Sequence, residues 1–371
     1  MPTPDEPGTD WPDLLAQLVA GRDLDAATAR SAVDDIMGAR VGPASIAAFL
    51  TALRAKGETA QEVGAAAAAM RAAAIALPLI DSDRAILDIV GTGGDRSGTV
   101  NISTMAAVVA AACGVRVIKH GNRAASSASG SADVLEELGL PLQPGAHVVA
   151  HTVAEVGVGF AFAPAFHPAL AHAAPVRREL AIPTVFNILG PLTNPAHPRH
   201  GVIGCADERL APVMAAVFAD RGDQVWVVRG DDGWDEITPQ TTTQVWDTTQ
   251  GDGSVVVSSI DPADVGLAEI AGADLQGGDA RVNAEVVRAV FGLPREYPGL
   301  TIAADIAAVQ RVTAVNAAAA LATVSPSVSG NPDPTARLLE QLPRAEAAIA
   351  SGAAGACLTQ WIMLTQQATE G

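Results

Sequence analysis

Basic residues are scarce in this chain: Lys and Arg number 23 against 41 Asp and Glu, a formal net charge of −18 over 371 residues. Counterion release from nucleic acid and adhesion to anionic membranes both need a basic face, so neither partner is expected. An anionic ligand must therefore be held by a local basic pocket or by a divalent metal. Cysteine is scarce too. Cys113, Cys205 and Cys357 lie far apart and form no CxxC pair, and the apolar surroundings of Cys113 and Cys205 predict buried, inert thiols. No uninterrupted apolar run approaches the roughly 20 residues of a membrane helix. The first residues, Met1-Pro-Thr-Pro-Asp-Glu-Pro-Gly, lack the basic and apolar regions of a signal peptide. A soluble, cytoplasmic protein is the expectation.

Apolar residues are plentiful, at 49% against 17% charged, enough for a large core and against disorder over most of the chain. The length allows two or three domains, or one large α/β domain with a smaller partner. Residues 10 to about 78 read as wholly helical. Ile46, Phe49, Leu50 and Leu53 share one helical face, Gly57 fits a stop, and Thr59-Ala-Gln-Glu62 is a capping box for the next helix. This region reads as scaffold, with possible dimer contacts.

From Ile86 the pattern changes to short apolar runs alternating with helices. Strands are predicted at Ile86–Val90, Val115–Ile118, Gly159–Ala163, Gly201–Gly204 and Val225–Val228, and helices near 102–112, 131–138, 208–219, 283–291 and 304–323. Such alternation implies a largely parallel sheet, which binds ligands beyond the carboxyl ends of its strands. Gly91–Asp95, Lys119–Arg123, Pro164–His167 and Gly230–Glu236 each follow a predicted strand, so they can converge on one edge. Residues 166–200 interrupt the rhythm with Pro-punctuated helical sequence, and Gly251-Asp-Gly253 between Thr- and Val-rich runs suggests a β-hairpin.

The stretch Asp88-Ile-Val-Gly-Thr-Gly-Gly-Asp95 carries the most chemistry. Bare glycines let backbone N–H groups approach an anion, and the helix opened by Asn101-Ile-Ser-Thr104 adds its dipole. Two familiar phosphate loops are excluded. Gly91 to Gly98 contains no lysine, as a P-loop requires, and Arg96 stands where the dinucleotide fingerprint needs glycine. Asp95 would repel a phosphate unless a metal or sugar hydroxyl intervened. With the basic cluster Lys119-His-Gly-Asn-Arg123, the combination reads as a site for a phosphorylated sugar. Taken singly, each feature has a plainer reading: a tight turn, an N-cap, a solvated charge or an acidic surface loop.

Taken together, Gly91-Thr-Gly-Gly-Asp95, Asn101-Ile-Ser-Thr104, Lys119 to Ser127, Ser129-Gly-Ser-Ala-Asp133, Asn187-Ile-Leu-Gly-Pro-Leu-Thr-Asn-Pro195 and Asp235-Glu236 closely resemble the anthranilate phosphoribosyltransferase family. The resemblance runs from the Leu53-Arg-Ala-Lys-Gly-Glu-Thr59 helix end to Gly277-Gly-Asp279 and Asn316. It implies transfer of phosphoribosyl from phosphoribosyl pyrophosphate to the amine of anthranilate, in tryptophan biosynthesis, by a Mg²⁺-dependent homodimer, two ions acting with substrate. The implied fold is a small helical domain, residues 1–80 joined in space by part of 166–200, on a larger α/β domain, residues 81–371, with the cleft between them.

By that resemblance the donor contacts are Gly91, Gly94, Asp95, Thr99, Asn101, Ile102, Ser103 and Thr104, followed by Lys119, His120, Gly121, Asn122, Arg123, Ala124, Ala125, Ser126, Ser127 and Ser131. Lys119 is expected to pair with a phosphate, and Asn101 both to cap its helix and to bind the donor. Gly91, Asn122, Pro164, His167 and Arg177 are the implied anthranilate contacts, with the Arg177 guanidinium facing the carboxylate. Ser103, Asp235 and Glu236 are the implied magnesium residues, in keeping with the metal's preference for hard oxygen ligands. No general base is assigned, and His120 and His167 are given no acid–base role. The nearest alternative is a pyrimidine nucleoside phosphorylase, which Asn122 and the Asp235-Glu236 pair fit less well. A non-catalytic relative that binds nucleic acid is opposed by the charge of −18.

Overall fold

The Thr59–Glu62 pattern closes as a reciprocal cap: Thr59 Oγ1 accepts from the Glu62 N–H at 3.2 Å, and Glu62 Oε2 accepts from the Thr59 N–H at 2.9 Å. Glu62 is itself buried, and it also accepts from the Leu24 N–H and from Lys56 Nζ, each at 2.9 Å. One carboxylate thus ties three chain segments together. The computed structural model describes residues 9–78, 85–124, 128–325, 327 and 330–370.

Four amphipathic helices come first: α1 (Trp11–Val19), α2 (Ala26–Met37), α3 (Pro43–Lys56) and α4 (Ala60–Ala72). The α/β part follows as β1 (Ile86–Gly91), α5 (Ile102–Ala112), β2 (Arg116–Gly121), α6 (Ser131–Glu137), α7 (Ala146–Val156) and β3 (Val158–Phe162). Then come α8 (Ala163–Phe166), α9 (Ala174–Leu180), α10 (Val185–Leu192), β4 (His200–Gly204), α11 (Ala211–Asp220), β5 (Gln224–Gly230), β6 (Thr243–Asp247) and β7 (Val256–Ile260). The chain ends in α12 (Ala280–Val290), α13 (Ile306–Val324), α14 (Pro334–Ala350) and α15 (Ala353–Glu370).

The strands form one sheet in the order β3-β2-β1-β4-β5-β6-β7. The first five are parallel, and the expected hairpin adds β6 and β7 antiparallel at one side. Alternation along the strands divides the core in two. Leu87, Ile89, Trp226 and Val228 face a layer built from α5, α6 and α12 to α15. Val90, Val225 and Val227 face the other way, onto α11 and the N-terminal helices, and Ala173, Val176, Phe186 and Leu189 from 166–200 join that same core. The interruption in the βα rhythm is thus chain returning to the helical layer. Helix α13 is long and apolar enough to cross a membrane, but most of it is buried inside the protein, as a core helix is.

Three expectations change. Strand β2 runs on through Gly121, so Lys119 and His120 are strand residues and not loop residues. The helix predicted from 208 starts at Ala211, with Pro212 in its first turn. Cys205 is buried as expected, and so is Cys357, for which nothing was expected, whereas Cys113, at the C-terminal end of α5, is only half-buried.

Candidate active site

Because β1 to β5 are parallel, their carboxyl ends deliver the predicted loops to one edge of the sheet. Beyond β1 the backbone turns through Gly93 (φ 66°), Gly94 (φ 86°), Arg96 (φ 58°) and Gly98 (φ 68°). This left-handed region costs glycine little, so the loop can stay bare. Gly91 is needed for a different reason: a Cβ there would overlap the Asp235 carboxylate. Gly91→Ala is expected to displace Asp235 and reduce turnover on the order of 100-fold, as a misplaced catalytic geometry does. The checks are kcat/KM and circular dichroism; activity like that of the parent would remove this constraint.

Asp235 and Glu236 follow β5 and reach back to backbone N–H groups of the glycine loop and of α5. Asp235 Oδ2 accepts from the Gly93 N–H at 2.7 Å, and Glu236 Oε1 accepts from the Ser103 N–H, in the first turn of α5, at 3.1 Å. Burial, then repulsion from Asp95, pushes the Asp235 carboxyl up to about 6. Glu236 is pushed well above the usual carboxylate range by burial and by repulsion from Asp235 and Asp95. Among the described residues no group of three or more His, Cys, Asp or Glu side chains is arranged for a metal. The acids come as a mutually repelling, half-buried pair, which suits Mg²⁺ arriving with phosphates and keeping several waters.

Lys119 is 3% exposed, which rules out a solvated surface charge. Its ammonium was expected on a phosphate, but it lies beneath the loop, donating to the Ile89 carbonyl at 2.5 Å and to Ser103 Oγ at 3.2 Å. Burial lowers its pKa, opposed by the fields of Asp88, Glu236 and Asp235. Lys119 therefore acts here as counter-charge to these acids. Asp88 accepts from the His120 N–H at 3.2 Å and from Asn194 Nδ2 at 2.8 Å. An acid inside the apolar run 86–90 is the sequence signal for this link.

Asn101 begins α5 but its side chain does not cap the helix, contrary to expectation. Glu236 takes that role from outside, and the Asn101 amide is turned sideways. It donates to the Ser129 carbonyl at 3.2 Å and accepts from Asn283 Nδ2 at 2.9 Å, while Asn283 Oδ1 accepts from the Gly278 N–H at 2.8 Å. Thr99 pairs in an isolated bridge with Gln276, and the Val100 N–H donates to the Leu275 carbonyl at 3.0 Å. The 275–283 segment thus forms a wall beside the glycine loop and the start of α5. Ile102 and Thr104 are buried behind it.

In the second loop the Arg123 guanidinium is bound by Glu136 (2.7 and 2.9 Å) and Asp133 (3.1 Å). It is a partner for α6, not the free phosphate ligand expected. Asp133 also takes the Ala124 and Gly130 N–H groups at 2.9 Å each, folding the loop back onto α6. Ser131 Oγ donates to the Asn122 carbonyl at 3.4 Å, beside Gly121 at the end of β2. Asn122 is exposed. Ala125, Ser126 and Ser127 lie outside the described residues.

The His120 ring, expected among the donor contacts, points to the helical layer. Its Nδ1 is 2.8 Å from the Gly190 carbonyl, and its ring centroid is 5.3 Å from that of His167. Burial, with lesser repulsion from His167, lowers the His120 pKa to about 3. His167 Nε2 is 2.9 Å from the Thr193 carbonyl, and burial lowers its pKa as well. Both are neutral rings. Pro164 is exposed in the first turn of α8, just past β3. Arg177, on α9, is half-buried over the Phe186 ring at 5.5 Å, and no carboxylate pairs with it among the described residues. The neighbouring Arg178 is exposed.

A helical layer on a mostly parallel sheet, with glycine loop, helix start and paired acids at the carboxyl edge, defines a glycosyl transferase of two-domain type. Residues 12–74 match the helical bundle domain of the glycosyl transferase family, and residues 83–355 match its a/b domain. Anthranilate phosphoribosyltransferase of Salinispora arenicola is 51% identical over 353 residues, covering 95% of this chain and 96% of the relative. That of Saccharopolyspora erythraea is 52% identical over 351 residues, 95% of each. The crystal structure of anthranilate phosphoribosyltransferase from Thermus thermophilus superposes with a TM-score of 0.82 at 36% identity, covering 95% of this chain and 99% of its own. The Saccharomyces cerevisiae enzyme in complex with PRPP and Mg gives 0.80 at 26% identity, covering 96% and 98%. The chain belongs to the anthranilate phosphoribosyltransferase family.

Proposed function

We propose that this protein transfers the phosphoribosyl group of phosphoribosyl pyrophosphate to the amine of anthranilate, releasing pyrophosphate, with Mg²⁺ held by Asp235 and Glu236. One observation carries the reading. The Gly93 and Ser103 N–H groups are donors for anionic oxygen, and carboxylates that themselves call for a cation now occupy them. That combination suits a ligand bringing phosphates and metal together. The relatives' shared activity and the yeast complex with PRPP and Mg support it. A homodimer in the cytoplasm, and two domains, 1–80 with part of 166–200 and 81–371, that close on the substrates, belong to the same reading.

Anthranilate's aromatic amine is neutral at pH 7 and keeps its lone pair, so attack on the ribose needs no strong base. The barrier lies in separating pyrophosphate from C1, which leaves an oxocarbenium-like centre. Bound Mg²⁺ would neutralise charge on the departing group. The chain's own part is fixed N–H donors at the glycine loop and α5, a buried Lys119 that balances the acids, and orientation of the amine. The neutral His120 and His167 rings, each engaged with a carbonyl, are left to shape and positioning.

The direct test is the loss of anthranilate fluorescence with phosphoribosyl pyrophosphate and Mg²⁺. Steady loss that stops on chelation is the expected result. Phosphorolysis of thymidine without use of anthranilate would replace the reading with that of a nucleoside phosphorylase.

A further inference from the structure

The residue after the carboxylate pair, Ile237, is fully buried, and a side chain takes both its peptide groups. Its N–H donates to Asn316 Oδ1 at 3.0 Å, and its carbonyl accepts from Asn316 Nδ2 at 3.2 Å. The same Nδ2 also donates to the Val312 carbonyl of its own helix at 3.0 Å. Asn316 is 3% exposed, in the middle of the apolar α13. A buried amide in such a helix is costly unless bonded, and this one has both ends occupied. Only a carboxamide offers a neutral donor and acceptor in the arrangement of a peptide group. Asn316 thus pairs with Ile237 as a neighbouring strand would.

We propose that Asn316 is a positioning residue for the Asp235–Glu236 pair, fixing their backbone so that both carboxylates hold one place before the metal arrives. The proposal rests on reading that pair as the Mg²⁺ site. Three consecutive residues are anchored by three different elements: Asp235 by the Gly93 N–H, Glu236 by the Ser103 N–H, and Ile237 by Asn316. The first two anchors use the carboxylate oxygens, which a cation competes for. The third uses only backbone, so it persists when the carboxylates are engaged. It is also the anchor that keeps two like charges from swinging apart.

Asn316→Leu keeps the branched shape, at somewhat greater volume, and removes both bonds to Ile237 along with that to Val312. The expected result is a Mg²⁺ half-saturation for turnover raised about 10- to 100-fold, as loss of an outer partner of a metal ligand does. Near-parental kcat is expected at saturating Mg²⁺, with KM for anthranilate unchanged. Calorimetry of Mg²⁺-pyrophosphate binding should weaken in parallel. A lower melting temperature with unchanged Mg²⁺ half-saturation would mean a merely structural asparagine and would overturn the proposal. Asp235→Asn run alongside separates the two claims: if it too leaves the metal titration unchanged, the Mg²⁺ reading itself fails. Should Asn316→Leu not fold, Asn316→Ser gives the same readout, because water can enter the vacated space and satisfy Ile237 without holding it.

Discussion

Asp235→Asn is expected to raise the Mg²⁺ concentration needed for turnover by about 10- to 150-fold, the equivalent of about 1.5–3 kcal/mol for one lost charge-assisted contact. Asparagine keeps an oxygen for the Gly93 N–H, so the loop geometry survives and the change isolates charge. The same substitution should stabilise the metal-free protein. Asp235 is raised to about 6 in the folded chain from its ordinary value of 3.8, so between those values the native state binds more protons than the unfolded one. Stability tied to this group is therefore full below the unfolded pKa and is lost as pH rises through about 6. In EDTA, the variant should melt above the parent at pH 7 and close to it near pH 4. With Mg²⁺ the order reverses, because the parent gains binding energy that the variant lacks. The parent's own Mg²⁺ requirement should grow as pH falls through about 6, where the carboxyl protonates. A parent that outmelts Asp235→Asn in EDTA at pH 7 would mean that these acids are at rest with one another, contrary to the burial and repulsion described.

Such strain explains what the sequence could and could not disclose. Strand ends and loops were legible because short apolar runs punctuated by glycine have few other solutions, and parallel strands must place their carboxyl ends together. Gly91–Asp95, Asn101–Thr104 and Asp235-Glu236 accordingly meet at one edge. Side-chain partners were not legible. Lys119 looks like a surface phosphate ligand until β2 is seen to carry it into the core beneath Ile89. Arg123 looks free until the loop doubles back onto Asp133 and Glu136. Asn101 looks like an ordinary N-cap, because nothing local predicts that Glu236, from the loop after β5 two strands away, supplies the cap. Asp88 with Asn194, and Ile237 with Asn316, are joined across long stretches of chain, beyond any periodicity. Local pattern determines where a residue sits along an element, whereas tertiary packing decides which groups remain unspent. At this site the unspent groups are the ones that matter.

Arg177 is the clearest of these on the helical side. Burial lowers its pKa, no carboxylate neutralises it among the described residues, and its guanidinium lies over Phe186. A half-buried cation of this kind costs stability unless a ligand supplies the anion, and an aromatic carboxylate matches both its planar fork and the adjacent ring. Arg177→Ala should therefore raise the KM for anthranilate about 10- to 150-fold, corresponding to about 1.5–3 kcal/mol, with KM for phosphoribosyl pyrophosphate unchanged. Arg177→Lys should fall between, since an ammonium keeps the charge and loses the bidentate geometry. Arg178→Ala, one residue on and exposed, should behave like the parent. The fold should not suffer, because truncation removes a half-buried charge with no carboxylate partner among the described residues; a melting temperature at or above the parent's is expected. Initial rates with each substrate varied in turn decide the matter. Equal KM changes for both substrates, or an Arg178→Ala defect as large as that of Arg177→Ala, would take the anthranilate carboxylate away from Arg177.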